Sequence, residues 1–405
     1  MNPDKIVENV YRLPSTVCCK QLFEGIWPIP NGVMINSYLV KGSDKTVLID
    51  YVKDWDGAEE EVNAELDSLD IKENNIDYLV VNHMEPDHTG ALVDIVKKNP
   101  NVQILCSKKA VPLMEAFYGL SDNVRAVEDG ETLDIGGRTL QFFMTPNVHW
   151  PETMMTYLIE EKILFSCDAF GSYGIYKNSF DDQLTQEEWD LLMPETERYF
   201  ANIISSFSAF CLRAIQKLET LEVKTICPSH GVIWRENVEK AISTYERLAN
   251  YAKGKREKEI TVVWSSMYGN TQALLDSILK GIESVKGIKA HVFQAPQTHE
   301  SFILEKAWRS EGIIIGMPTY EYKMFPPMYT VLDQMDRSHI SGRKIARFGS
   351  YGWSGGALKQ FLPFVDSMKL DFLGEVEYQG APSDEDKKKA FDLAALMAKQ
   401  ILEEN

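Results

Sequence analysis

At 405 residues, with 44 % hydrophobic and 11 % aromatic content, the chain can bury two ordinary cores and is too long for one compact domain. A formal net charge of −18 argues against nucleic acid or an anionic membrane surface as the main partner. The start, Met1-Asn2-Pro3-Asp4-Lys5, has no basic segment ahead of an apolar one, and no apolar run is long enough to span a bilayer, so a soluble, cytoplasmic protein is expected.

Residues 1 to about 50 read as strands and hairpins: Asn36–Val40 and Thr46–Asp50 flank Gly42-Ser43-Asp44-Lys45, which has the composition of a hairpin turn. A helix is expected from Gly57 to Leu69, then a buried strand, Tyr78–Val81. Next come a strand from Val102 to Cys106, a helical stretch ending near Gly119, and strands at Leu140–Thr145 and Ile163–Cys167. A helical stretch from Gln186 to Thr220 leads to a last strand, Lys224–Cys227, and this part ends near Tyr251. Strands first and mixed elements after them imply a layered sheet sandwich covered by helices.

Past Val81 the strand pattern stops, Pro86 cannot donate to a ladder, and Ala91, Leu92 and Ile95 resume at helical spacing. His83, Glu85, Asp87 and His88 therefore occupy a strand-to-helix loop, a usual place for ligands. A polar, solvated loop is the plain alternative, and the other histidines weigh against it. His149 follows Phe143-Met144-Thr145-Pro146, Asp168 follows Ile163–Cys167, and His230 follows Cys227-Pro228-Ser229. Four of the seven histidines lie in this half and all four fall at strand ends, so seven candidate ligands collect on one edge.

Seven ligands suit two metals sharing a carboxylate: His83, Glu85 and His149 for one, Asp87, His88 and His230 for the other, Asp168 between them. Imidazoles and carboxylates without thiolate are compatible with zinc, but the carboxylate share suits iron or manganese better. The six cysteines contain no Cys-x-x-Cys pair, which excludes a zinc knuckle, an iron–sulfur cluster and a rubredoxin-type site. Most lie in apolar runs and read as buried thiols. Cys18-Cys19 has no reading.

Lys253-Gly254-Lys255-Arg256-Glu257-Lys258-Glu259 is charged and lacks apolar residues, a domain boundary; the sequence divides into 1–252 and 259–405. Strand and helix then alternate. Ile260–Trp264 opens into Ser265, Ser266, Met267, Tyr268, Gly269, Asn270 and Thr271, followed by an amphipathic helix with Leu274, Leu275, Ile278, Leu279 and Ile282 on one face. Hydroxyls and a glycine ahead of a helix can cradle a phosphate, although an ordinary capped turn reads the same way. Two later loops decide. Gly312–Gly316 opens into Pro318, Thr319, Tyr320, Glu321 and Tyr322; Lys344–Phe348 opens into Ser350, Tyr351, Gly352, Trp353, Ser354 and Gly355. Small, hydroxyl and aromatic residues at three successive strand ends suit a phosphate, a ribityl chain and a flat ring, and the pattern resembles a flavodoxin-like domain, which implies FMN. No Gly-x-Gly-x-x-Gly is present, so a dinucleotide site is disfavoured. His291, His299 and His339 lie outside these loops and read as surface or structural.

The first motif resembles the metallo-β-lactamase fold, whose zinc motif is His-x-His-x-Asp-His, with Glu85 in place of the second histidine. That exchange, followed by a flavodoxin-like half, is similar to the flavodiiron proteins (A-type flavoproteins). The resemblance covers nearly the whole chain. It implies an αββα sandwich holding two irons, then a flavodoxin-like doubly wound parallel sheet holding FMN, and reduction of dioxygen to water or of nitric oxide to nitrous oxide. It also implies a head-to-tail homodimer or a dimer of dimers, and identifies Tyr199 with a pocket tyrosine, a role a core tyrosine could mimic. Many relatives carry asparagine near Glu321, which leaves the side-chain contacts of that loop open. With no rubredoxin or flavin-reductase module read after the helix Asp384–Leu402, electrons are expected from a separate donor: rubredoxin, a reduced deazaflavin or another flavoprotein. The competing readings are a dinuclear zinc hydrolase with a regulatory flavodoxin, and an FMN electron carrier with a degenerate metal edge.

Overall fold

The computed structural model describes residues 2–53, 55–254 and 256–403; Met1, Lys255 of the expected linker and Asn405 at the chain end lie outside them. The chain separates into two compact units, Met1–Arg247 and Leu248–Asn405.

In the first unit one sheet runs β1 (Asp4–Val7), β2 (Val10–Val17), β3 (Val33–Lys41), β4 (Thr46–Ile49), β5 (Tyr78–Val81), β6 (Gln103–Ser107) and β7 (Val124–Val127), each beside its sequence neighbour. Pairing is antiparallel through β4 and parallel from β4 to β7, where helices such as Ala58–Ser68 make the crossovers. The second sheet is β8 (Thr132–Asp134), β9 (Thr139–Met144), β10 (Met154–Leu158), β11 (Ile163–Cys167) and β12 (Thr225–Pro228), with β11 and β12 parallel. Val40, Val47, Ile49, Val80 and Leu105 of the first sheet meet Leu140, Phe142, Met154, Ile163 and Phe165 of the second in one buried core. Helices Ser208–Leu218 and Val238–Asn250 line a groove against Leu164 and Ile226 of the second sheet. The result is the αββα sandwich.

The second unit holds a wholly parallel sheet in the order β14 (Lys289–Gln294), β13 (Glu257–Trp264), β15 (Ser310–Gly316), β16 (Lys344–Tyr351), β17 (Asp371–Gln379). This 2-1-3-4-5 order is the flavodoxin-like winding, with its ligand crevice at the carboxyl ends of the central strands. Helices Leu275–Glu283 and Asp384–Glu403 cover one face through Ile278, Ile282, Ala394, Met397 and Ile401.

Several expectations need correction. The stretch from Gln186 to Thr220 is not one helix: Gln186–Tyr199 passes into a π turn, Phe200–Ile204, and a 3₁₀ turn, Ser205–Phe207, before Ser208–Leu218. Its apolar residues keep near-helical spacing across a widened turn, so periodicity alone does not show the break. Strand β10, buried on both faces, has no alternation to separate it from core helix, so its sequence does not announce a strand. The charged run Glu257-Lys258-Glu259 belongs to β13 rather than to a linker, because buried Glu259 meets Arg309 Nε at 2.9 Å and His291 Nε2 at 3.0 Å. Cys106, Cys167, Cys211 and Cys227 are buried free thiols, as expected; Cys19 is exposed. His299 caps helix Glu300–Arg309 by accepting the Ser301 N–H. Among the described residues no helix is long and apolar enough to cross a membrane.

Candidate metal centre and flavin loops

The metal edge is built by strand ends. Beyond β5, the Asn82 N–H donates to Asp50 Oδ1 at 2.9 Å and the Asn82 side chain accepts from Thr156 Oγ1 at 2.8 Å, which fixes where the chain leaves the sheet. Glu85 stands at the N-cap of a single helical turn, Pro86–Thr89, with proline at its start, so His83 and Glu85 precede that turn and Asp87 and His88 lie on it. His149 lies in the loop after β9, Asp168 directly follows β11, and His230 lies just past β12.

All seven predicted residues come together. One donor group is His83, Glu85, His149 and Asp168; another is Asp87, His88 and His230. Asp168 faces both. Its Oδ2 is 3.4 Å from His83 Nε2 and from His149 Nε2, and its Oδ1 is 3.1 Å from His88 Nε2 and 3.2 Å from His230 Nε2. Glu85 Oε2 lies 3.3 Å from His83 Nε2 and 3.0 Å from His149 Nε2, while Asp87 reaches His88 Nε2 at 3.5 Å and His230 Nε2 at 3.4 Å.

These contacts are close, yet Asp87 Oδ1, both Asp168 oxygens, both His88 nitrogens and His230 Nε2 make no hydrogen bond of acceptable geometry. Buried polar atoms are nearly always satisfied. Lone pairs that converge without aiming at one another fit a cation between them, and two clusters sharing one carboxylate fit two cations. Imidazole and carboxylate donors in this number match iron, manganese or zinc.

The electrostatics agree. Burial disfavours charge on Asp168, but the imidazoles of His88, His230 and His83 hold its carboxyl well below the usual range. Burial also opposes a charged His88, and Asp87 and Asp168 outweigh it, pushing that imidazole up to about 10.

Sequence reasoning missed the residues behind the donors. His83 Nδ1 lies 2.9 Å from Glu152 Oε1, His230 Nδ1 lies 3.2 Å from the Met34 carbonyl, and Asp50 Oδ2 stands 3.9 Å from His88 Nδ1. Cys167 joins Asp50 and His88 in a third close group, but burial and Asp168 push its thiol up, so it is no thiolate. None of these has motif spacing. A pocket of about 310 Å³ opens on Glu85 and Asp87 between Leu22–Gly25, Lys53 and Trp55. Phe23 stands edge-on to His230 at 5.2 Å and to Tyr173 at 5.5 Å. Glu24 lines the same pocket and accepts the Trp27 Nε1–H at 2.8 Å. Tyr199 is fully buried, its ring 5.7 Å from His230 and its hydroxyl without a hydrogen-bond partner, just before the π turn.

In the second unit the three predicted loops lie at the carboxyl ends of β13, β15 and β16. Ser266, Met267, Tyr268, Asn270, Pro318, Thr319, Ser350, Tyr351 and Gly352 line a cleft of about 170 Å³, with Gly380, which the sequence did not flag. Other predicted contacts are used inside the protein. Ser265 Oγ donates to the Ala295 carbonyl at 2.6 Å, Thr271 Oγ1 pairs with Ser350 Oγ at 3.0 Å, and Gly355 packs on Glu377. Gly269 gives its N–H to Ser266 Oγ, and Ser354 Oγ donates to the Gly355 carbonyl. Tyr320, Glu321 and Tyr322 form the tip of a tight hairpin, with Tyr322 edge-on to Trp353 at 6.2 Å. Tyr268, Trp353 and Tyr322 are 86 %, 70 % and 60 % exposed, a concentration of open aromatic surface.

A family model described as ODP family beta lactamase matches residues 33–231. The chain is 36 % identical over 332 residues to an anaerobic nitric oxide reductase flavorubredoxin of Pectobacterium atrosepticum, covering 81 % of this chain and 63 % of that protein. A flavorubredoxin of the same name from Escherichia coli is 35 % identical, covering 81 % and 67 %. The chain thus spans less than two thirds of the length of the first of these relatives. Among solved structures, the rubredoxin oxygen:oxidoreductase of Desulfovibrio gigas superposes with a TM-score of 0.92 at 27 % identity, covering 99 % of both chains. The flavodiiron protein of Giardia intestinalis gives 0.92 at 28 %, covering 100 % of this chain and 97 % of that one. With both halves matched in the same order and the donor cluster in place, the chain belongs to the flavodiiron protein family.

Proposed function

We propose that the chain is an FMN- and diiron-dependent oxidoreductase that reduces dioxygen to water, nitric oxide to nitrous oxide and water, or both. What carries the reading is the buried set of seven donors whose lone pairs converge on two points with Asp168 between them. Residues 1–252 would form the diiron domain and 259–405 the FMN domain. His83, Glu85 and His149 would hold one iron, Asp87, His88 and His230 the other, and Asp168 would bridge. The loops Ser265–Thr271, Pro318–Tyr322 and Ser350–Gly355 would hold FMN. When bound, the iron pair supplies two electrons and reduced FMN two more, matching the four that dioxygen needs and exceeding the two for a pair of nitric oxide molecules.

The chain's own residues do the rest. Glu85, a carboxylate where the zinc enzymes have imidazole, adds negative charge that favours a redox role over a purely Lewis-acidic one. Phe23 and Trp55 line the pocket that opens on Glu85 and Asp87 and would narrow access to the donors. The unpartnered Tyr199 hydroxyl is a donor for a small diatomic substrate. One relative's name speaks for nitric oxide and one neighbour's for dioxygen, so both acceptors are kept. Those names also support a rubredoxin-like donor; a reduced deazaflavin or a flavoprotein reductase would serve equally. We place the protein in the cytoplasm as a head-to-tail homodimer or a dimer of dimers, which would bring one subunit's flavin to another's metals.

The test is metal and flavin analysis, then anaerobic reduction and stopped-flow mixing with dioxygen and with nitric oxide separately. Two irons and one FMN per chain, with rapid reoxidation by either gas, are expected. Zinc alone, ester hydrolysis and no gas consumption would overturn the reading in favour of a hydrolase.

A further inference from the structure

Among the described residues, His83 is the one donor histidine whose outer nitrogen lies within hydrogen-bonding distance of a carboxylate. Glu152 Oε1 is 2.9 Å from His83 Nδ1 and also accepts the Met84 N–H at 3.0 Å, and both side chains are fully buried. The His83 ring is edge-on to Trp150 at 5.0 Å and packs on His88 at 5.2 Å, so it has no room to turn over. With Nδ1–H given to Glu152, the lone pair of Nε2 faces Glu85 Oε2 and Asp168 Oδ2. The contrast is His230, whose Nδ1 meets only a neutral acceptor, the Met34 carbonyl, at 3.2 Å.

Resting on the diiron reading above, we propose that Glu152 is a positioning residue that fixes the tautomer of His83 and strengthens its donation to the iron held with Glu85 and His149. A carboxylate behind a metal-bound imidazole raises ligand basicity, which a backbone carbonyl does less. The two irons are then unequal, and the one on His83 is the more readily oxidised. Glu152 lies between His149 and β10, so one short loop supplies a donor for this iron and the acceptor behind another.

The experiment compares the iron- and FMN-loaded wild type with Glu152→Gln and Glu152→Asp. Anaerobic potentiometric titration followed by electron paramagnetic resonance reads the ferric over ferrous preference; chelator challenge reads iron retention. Glutamine keeps the shape and the acceptor for Met84 but loses the charge. It is expected to lower the ferric preference about tenfold, a shift of about 59 mV for a one-electron step, and iron affinity about 10- to 100-fold. Aspartate, with its carboxylate drawn back, is expected to fall between, and it carries the test alone if the glutamine variant does not fold. FMN content should be unchanged in both. A ferric over ferrous preference and an iron retention within twofold of wild type in the variants would overturn the inference while leaving the diiron reading intact. Wild type that binds no iron would overturn that reading instead, and this inference with it.

Discussion

At the metal edge His83, His88 and His230 are at most 1 % exposed, whereas at the flavin edge Tyr268, Tyr322 and Trp353 stand 86 %, 60 % and 70 % exposed. The first edge places carboxylates and imidazoles in close opposition, yet Asp87 Oδ1, both Asp168 oxygens, both His88 nitrogens and His230 Nε2 stay without a hydrogen bond until a cation takes them. The second keeps several of its hydroxyls in bonds inside the protein and presents large, open aromatic rings. The difference follows from the ligands. A small, highly charged ion needs several fixed donors within a few ångströms, and burying those donors is tolerable because they neutralise one another. A flavin brings its own large apolar face, so its edge can stay open until the ring covers it.

The sharpest way to break this comparison is to remove a donor. His83→Ala is expected to cost more than about a hundredfold in turnover, since removing residues one layer further out already costs 10- to 100-fold. Iron content should fall while FMN content and the visible flavin spectrum hold. Unchanged turnover would mean that the metal edge takes no part in the chemistry and would return the flavin-carrier reading.

The complementary break is Gly349→Ala. A Cβ there would lie 1.8 Å from the Met317 carbonyl oxygen, so two flavin loops must part. Loss of FMN and about 3 kcal/mol of stability in the second unit are expected, with iron retained in the first. Equilibrium dialysis with FMN and iron analysis on one sample checks both halves.

How far each edge could be read from the sequence reflects the same contrast. The seven donors were legible because strands end in recognisable apolar runs and hard-ion ligands are few in kind; His149, Asp168 and His230 each follow such a run. Glu152 and Asp50 were not, because they act through contacts across sequence separations such as that between residues 83 and 152. The flavin loops were legible as loops, yet composition does not say which hydroxyl points outward. Ser265 and Thr271 bond inside the protein, and Gly380 enters the cleft from beyond β17, a strand whose mixed polar pattern escaped notice. The π turn after Tyr199 was hidden for a different reason: it changes the hydrogen-bond register without changing the apolar spacing.

A third test asks whether the first unit tolerates buried charge away from the cations. Glu65, in helix Ala58–Ser68, is 1 % exposed, and burial pushes it up to about 8 from an ordinary 4.5. Below pH 4.5 both folded and unfolded states are protonated. Between 4.5 and 8 the unfolded state releases a proton that the folded state keeps, so stability falls as pH rises through this window. Glu65→Gln should remove that slope, being neutral near pH 4.5 and stabilising at pH 8 by on the order of 2 kcal/mol. Chemical unfolding at the two pH values checks it; a gain at the lower pH alone would reverse the sign.

The smallest effect is expected at Trp353, and it separates ligand binding from folding most cleanly. At 70 % exposure, with Tyr322 as its one described ring neighbour, the indole contributes little to the fold, so Trp353→Ala should change stability by less than about 0.5 kcal/mol. If the open rings serve the flavin, the same substitution removes a stacking or edge contact of about 1 kcal/mol, which weakens FMN binding roughly fivefold. Fluorescence titration of the flavin-stripped protein with FMN measures the second quantity and thermal unfolding of that apoprotein the first. A variant that binds FMN as wild type does would show that exposure at this edge has another purpose, and one that unfolds early would assign Trp353 to the fold.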